Sequence, residues 1–157
     1  MPTKQPTRSK YQARNEDKVW TEEEQAAMQE SARERKAVAR RGRSDERAEG
    51  EADMRAKIAE MPDAERGMAE RIHAIITDAV PALAPKTYYG MPAWARDGKI
   101  ICFFQPASKF KVRYSTFGFQ PDANLDDGDV FPIAWAITRL SAADEKRIAA
   151  LVKKAVS

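Results

Sequence analysis

The order of residue patterns along the chain predicts an α+β fold, an antiparallel β-sheet packed against flanking helices. Three observations carry that reading. Helical periodicities fill the first half, aromatic and β-branched runs broken by turn signals follow, and one amphipathic pattern closes the chain. Elements segregated in this way differ from the alternating strands and helices of a doubly wound nucleotide-binding fold.

Residues 1–18, "MPTKQPTRSKYQARNEDK", are nearly devoid of apolar side chains, so burial cannot offset their ordering entropy, and the segment reads as a flexible tail. From Trp20 the pattern changes. Thr21 followed by Glu24 is a capping-box signature, and an Ala-, Glu-, Arg- and Lys-rich stretch runs to Arg41, which predicts a charged helix over 19–41. Its apolar stripe, Ala26, Ala27, Met28, Ala32 and Val38, is thin, so the helix is expected either at the periphery or against a partner. "RRGRSDERAEGE" mixes charge with two glycines, and 42–50 reads as a linker to a compact domain over 51–157.

Within that domain Met54, Ile58 and Met61 recur at helical spacing until Pro62 and Asp63 end one helix and open the next. Met68, Ile72, Ile75, Ile76 and Ala79 then form one apolar face, stopped by Pro81 and Pro85. Strands follow over Lys86 to Tyr89, Met91 to Ala95 and Lys99 to Gln105, the last two joined across "RDG". Phe110, Val112 and Tyr114 alternate with Lys111, Arg113 and Ser115, which predicts a further half-exposed strand. A last strand is expected over Ala134 to Arg139. Ser141 with Asp144 then caps a closing helix that carries Ile148, Leu151, Val152 and Ala155 on one face.

Composition narrows the function classes. The net charge is +3 over 157 residues, too small a surplus for electrostatic capture of nucleic acid. No run approaches the roughly 18 apolar residues of a membrane span, and the first residues lack the apolar core of a signal peptide, so a cytoplasmic protein is expected. The single cysteine, Cys102, excludes an internal disulfide and lies in the apolar run "IICFF", where burial disfavours a thiolate. His73, the sole histidine, lies beside Ile72 on an amphipathic helix without an evident catalytic partner. Phosphate loops, dinucleotide glycine patterns and a nucleophile elbow are absent from the sequence.

The stretch "YYGMPAW" allows two readings that composition alone leaves open. Gly90 and Pro92 can simply fix an edge while the aromatics pack as core. Alternatively Tyr88, Tyr89, Met91, Trp94 and Phe104 line a concave apolar ligand site. On a strand Tyr88 and Tyr89 would point to opposite faces, so at most one of them would serve a given pocket.

For metals, "PDANLDDGD" gathers Asp122, Asn124, Asp126, Asp127 and Asp129, hard oxygen ligands suited to calcium, magnesium or iron. As a calcium loop it places Asp127 where glycine is required and Ile133 where glutamate is required, and an Asx-rich turn accounts for it equally. "KFKVRYS" interleaves Lys109, Lys111 and Arg113 with Phe110 and Tyr114, a cationic face able to take an anion or single-stranded nucleic acid, although alternation on a half-buried strand explains it as well.

Tyr88 to Trp94, followed by "DGK" and an apolar strand, resemble the signature of the YdhG-like family, bacterial domains mostly of unknown function. The resemblance runs over 51–156 and implies a compact α+β domain with an antiparallel sheet. It also implies an intracellular role, which one branch of the family is proposed to fill as a frataxin-like iron chaperone. On that basis the expected function is non-enzymatic ligand binding or iron carriage. The alternative is an interaction module that docks on a partner or on its own copy through the helix over 21–41.

Overall fold

The computed structural model describes residues 19–40 and 46–157. The expected tail over 1–18 and the first half of the expected linker lie outside the described residues.

Helix α1 spans Glu22–Arg40. Thr21 caps it: the Glu24 backbone N–H donates to Thr21 Oγ1 at 3.1 Å. Helix α2 spans Glu46–Ala59, so residues 46–50, read from sequence as linker, are its first turns. Gly50 is buried there because the helix lies directly on strand β1 (Ala84–Tyr88); a Cβ on Gly50 would collide with the Pro85 carbonyl oxygen. The glycine marks a close backbone approach and not a flexible joint. Arg47 fastens the same contact by donating to the carbonyls of Pro81 at 2.5 Å and Leu83 at 3.3 Å.

Helix α3 covers Asp63–Ala79. A five-stranded antiparallel meander follows, in spatial order β1 to β5: β2 is Met91–Arg96, β3 Lys99–Gln105, β4 Ser115–Phe119 and β5 Ala134–Ile137. Helix α4, Ala142–Ala155, ends the fold. Its capping box is complete, since Ser141 Oγ accepts from the Asp144 N–H and Asp144 accepts from the Ser141 N–H.

One face of the sheet builds the core. The register places Trp94 opposite Cys102, Cys102 opposite Phe119, and Phe104 opposite Phe117. These side chains cluster with Ile72 and Ile76 of α3, Ile148 and Val152 of α4, and Met54 and Ile58 of α2. The expected α+β arrangement with an additional N-terminal helix is therefore what the chain forms. Outside the core α3 and α4 are joined by Arg71, whose guanidinium donates to both Glu145 oxygens at 2.8 and 2.9 Å.

The strand expected over Phe110 to Ser115 does not form. Ala107–Lys109 is a turn of 3₁₀ helix, Lys111 takes a left-handed φ of 53°, and strand β4 starts only at Ser115. Val112 and Tyr114 are both exposed, so the alternation has no core to face. The loop is pinned from its ends instead: the Ala107 N–H donates to Ser115 Oγ, and the Ser108 N–H and hydroxyl donate to Glu65 of α3.

Candidate functional site

Two hairpin turns connect the first three strands, and both use two residues with positive φ: Tyr89 (51°) with Gly90 (74°), and Asp97 (52°) with Gly98 (78°). This is the pattern of a type I′ turn, which fits the twist of the flanking strands. Glycine and aspartate adopt the left-handed region readily, but a bulky aromatic residue does so at a cost of about 1–2 kcal/mol. Tyr89 is therefore the strained member of the set.

Leaving the strand also changes where Tyr89 points. The expectation that Tyr88 and Tyr89 face opposite ways fails because Tyr89 belongs to the turn, and its ring meets Tyr88 edge-on at 4.7 Å. Tyr88 in turn lies 6.0 Å from the Phe103 ring, and partial burial, with Tyr89 alongside, raises its phenol above the ordinary value.

The Tyr89–Gly90 turn is occupied. Its two backbone N–H groups donate to the two carboxylate oxygens of Glu34 on α1, Tyr89 to Oε2 at 3.0 Å and Gly90 to Oε1 at 2.8 Å. A second carboxylate, from Glu30, lies over the turn so closely that a Cβ on Gly90 would collide with it. Glu30 is paired with Lys109 Nζ at 3.4 Å and Lys57 Nζ at 3.6 Å, bringing cations from the 3₁₀ turn and from α2 to one point. Glu23, in the first turn of α1, receives Lys111 Nζ at 2.6 Å. That hydrogen bond holds the Glu23 carboxyl below its ordinary value and lifts the Lys111 ammonium above its own.

The helix meets this surface along one narrow line. Glu23, Glu30 and Glu34 are separated by seven and four residues, about two turns and then one, so their side chains align along the axis. Beside that line the small residues Ala27 and Ser31 are buried. Contact is incomplete on either side of Glu34. One cleft of about 310 Å³ is lined by Val38, Lys86, Tyr88, Tyr89 and Ile100, and a second of about 260 Å³ by Ala37, Gly50, Ala84 and Pro85. The helix is thus latched by charge and by two amides over a surface it only partly fills.

Other residues expected at a ligand site lie elsewhere. Trp94 and Phe104 are fully buried and Met91 is nearly so, which leaves them in the core with no surface for a ligand. Trp94 instead donates from Nε1 to His73 Nδ1 at 3.2 Å. With Nδ1 accepting, the imidazole proton sits on Nε2, which faces Glu51 Oε1 at 3.3 Å. This hydrogen bond, ahead of that from Arg55, keeps the Glu51 carboxyl below its ordinary value. Both imidazole nitrogens are engaged, so His73 ties α3 to the sheet. Cys102 is buried and its thiol is pushed far up by desolvation, away from any nucleophilic state.

Asp122, Asp126, Asp127 and Asp129 are exposed on the loop between β4 and β5, with Asp122 reaching Lys99 at 3.8 Å. Asn124 faces the end of α4, its N–H donating to the Ala155 carbonyl and its amide to that of Ser157. Among the described residues no three carboxylate, imidazole or thiol groups are gathered as a metal ion requires. Nor is any helix among them long and apolar enough to cross a membrane.

Sequence reasoning placed Tyr88 and Tyr89 at the site but missed Glu23, Glu30, Glu34, Lys57 and the turn amides. A signal for the amides was present in Gly90, a turn glycine; none marked the glutamates, which resemble any solvated helix face. No protein-family model matches the chain, and no curated protein and no solved structure does.

Proposed function

We propose that the chain is a non-enzymatic binding module of the YdhG-like kind whose ligand is a carboxylate, captured by the Tyr89 and Gly90 amides with Lys57 and Lys109 beside them. Helix α1 is its resident occupant. The observation that carries this reading is the paired acceptance of both turn N–H groups by the two oxygens of Glu34. Successive N–H groups aimed at one carboxylate form a concave anion site of a kind that proteins use for ligands, and hydrogen bonds to a charged acceptor are the stronger ones. Strain at Tyr89 supports it further, because a costly backbone conformation persists where the surroundings and a function hold it.

Iron carriage draws less support. The aspartates of the 122–129 loop do not converge with other ligands among the described residues, so with these they do not form a chelating site.

Acetate titration of the Glu34→Ala chain, followed through its backbone amide resonances, tests the proposal. Removing the carboxylate empties the two N–H groups, and acetate should then shift the Tyr89 and Gly90 resonances saturably while leaving those of Asp97 and Gly98 in place. Identical, non-saturating drift at both turns would refute it.

A further inference from the structure

We infer that the surface under α1 is a docking site for a partner protein's acidic helix, with α1 as the placeholder that the partner displaces. This rests on the carboxylate-site reading above and names the kind of molecule that supplies the carboxylates. Three features of the contact point to a helix. The cationic and amide groups that receive carboxylates are strung out in a line: Lys111 takes Glu23, Lys57 and Lys109 take Glu30, and the Tyr89–Gly90 amides take Glu34. From the first to the last carboxylate is eleven residues, about 16 Å of helix, a span that no small dicarboxylate covers. Between them two small residues, Ala27 and Ser31, are buried.

The recognition pattern therefore reads as carboxylates at positions 0, 7 and 11 of a helix, small residues at 4 and 8, and an apolar residue at 15, where Val38 stands. The occupant in hand meets this pattern without filling the site. Clefts remain on both sides of Glu34, and Val38, which borders both of them, is only half-buried. A partner helix with the same acids and larger flanking apolar side chains gains those clefts as additional contact. It must also outcompete a tethered helix whose effective concentration is about millimolar, so the placeholder sets a threshold of affinity that weak acidic segments do not pass.

The test uses a fluorescent peptide with the sequence of residues 21–40 and two forms of the full chain, the wild type and Glu30→Gln/Glu34→Gln, in which α1 is released. The released chain should bind the peptide, and the wild type should bind it at least about tenfold more weakly because α1 competes. A peptide with glutamine at positions 23, 30 and 34 should not bind, and adding Lys57→Glu/Lys109→Glu to the released chain should abolish binding. Buried Trp94 reports folding of each variant through its near-ultraviolet signal. Absence of peptide binding by a folded released chain overturns the inference, and so does equal binding of the glutamine peptide. Should acetate still bind the turn amides of Glu34→Ala while the peptide fails, the inference falls alone. Should both fail, the carboxylate site falls with it.

Discussion

The two hairpin turns at the ends of β2 have the same length and the same pair of positive φ angles, yet they live in different surroundings. Around Gly98 a Cβ would meet nothing within 4 Å, whereas at Gly90 it would strike a glutamate and a lysine. The Asp97–Gly98 turn uses a residue at home in the left-handed region; the Tyr89–Gly90 turn uses a tyrosine that is not. Hairpin geometry accounts fully for the first. The second has the same backbone plus a carboxylate on its two amides, and that addition is what sets it apart.

Substituting the two glycines exposes the contrast most strongly. Gly98→Ala should cost about 1–2 kcal/mol, the penalty of the left-handed backbone alone. Gly90→Ala should cost more than that in urea unfolding, because it also displaces Glu30 and Lys109. Equal losses would mean that the acidic lid contributes nothing. Next in size is Glu34→Ala, which removes the acceptor of two N–H groups. At about 1.5 kcal/mol for each hydrogen bond to a charged group, the weak end of the range that suits a partly exposed contact, docking of α1 should loosen by about 3 kcal/mol. Hydrogen exchange along 22–40 measures this, and undiminished protection there would contradict it.

Acidification sharpens the comparison more gently. The folded Glu23 carboxyl titrates below its ordinary 4.5, so its contribution is present in full above that pH and fades as the pH falls through the lower folded value. Lys111 works in the opposite sense: its contribution is complete below 10.5 and is lost as the pH rises past its higher folded value. The Glu23–Lys111 contribution to the α1 latch should therefore weaken at both ends of the pH range. Tyr89→Asn should have the smallest effect. It relieves backbone strain of about 1–2 kcal/mol and forfeits an edge-on ring contact of about 0.5–1.5 kcal/mol, so the two largely offset and stability should change by no more than about 1.5 kcal/mol.

How much of this was legible beforehand follows from the range of the interactions. Local chemistry declared itself: the "RDG" hairpin, the span of β3 and the Ser141–Asp144 capping box each depend on residues a few positions apart. Gly50 was misread because a glycine that permits close helix packing and one that loosens a linker look alike until Pro85 is seen beside it. The alternation of Phe110, Val112 and Tyr114 mimicked a strand, although Val112 and Tyr114 are exposed and the Tyr114 ring is met by the Arg113 guanidinium at 5.1 Å. Trp94 and Phe104, expected at a pocket, turned out to be core for the same reason that made them conspicuous, their large apolar area. Glu34 lies 55 residues from the amide it binds at Tyr89, and no local pattern encodes a contact of that kind.

Amide hydrogen exchange at two glycines tests the central claim most directly. In the wild-type chain the Gly90 N–H, held by Glu34, should exchange far more slowly than the Gly98 N–H, and Glu34→Ala should bring the Gly90 rate up toward that of Gly98. A Gly90 amide that exchanges as fast as Gly98 in the wild type, or whose rate ignores the substitution, would show that no carboxylate is held at the turn.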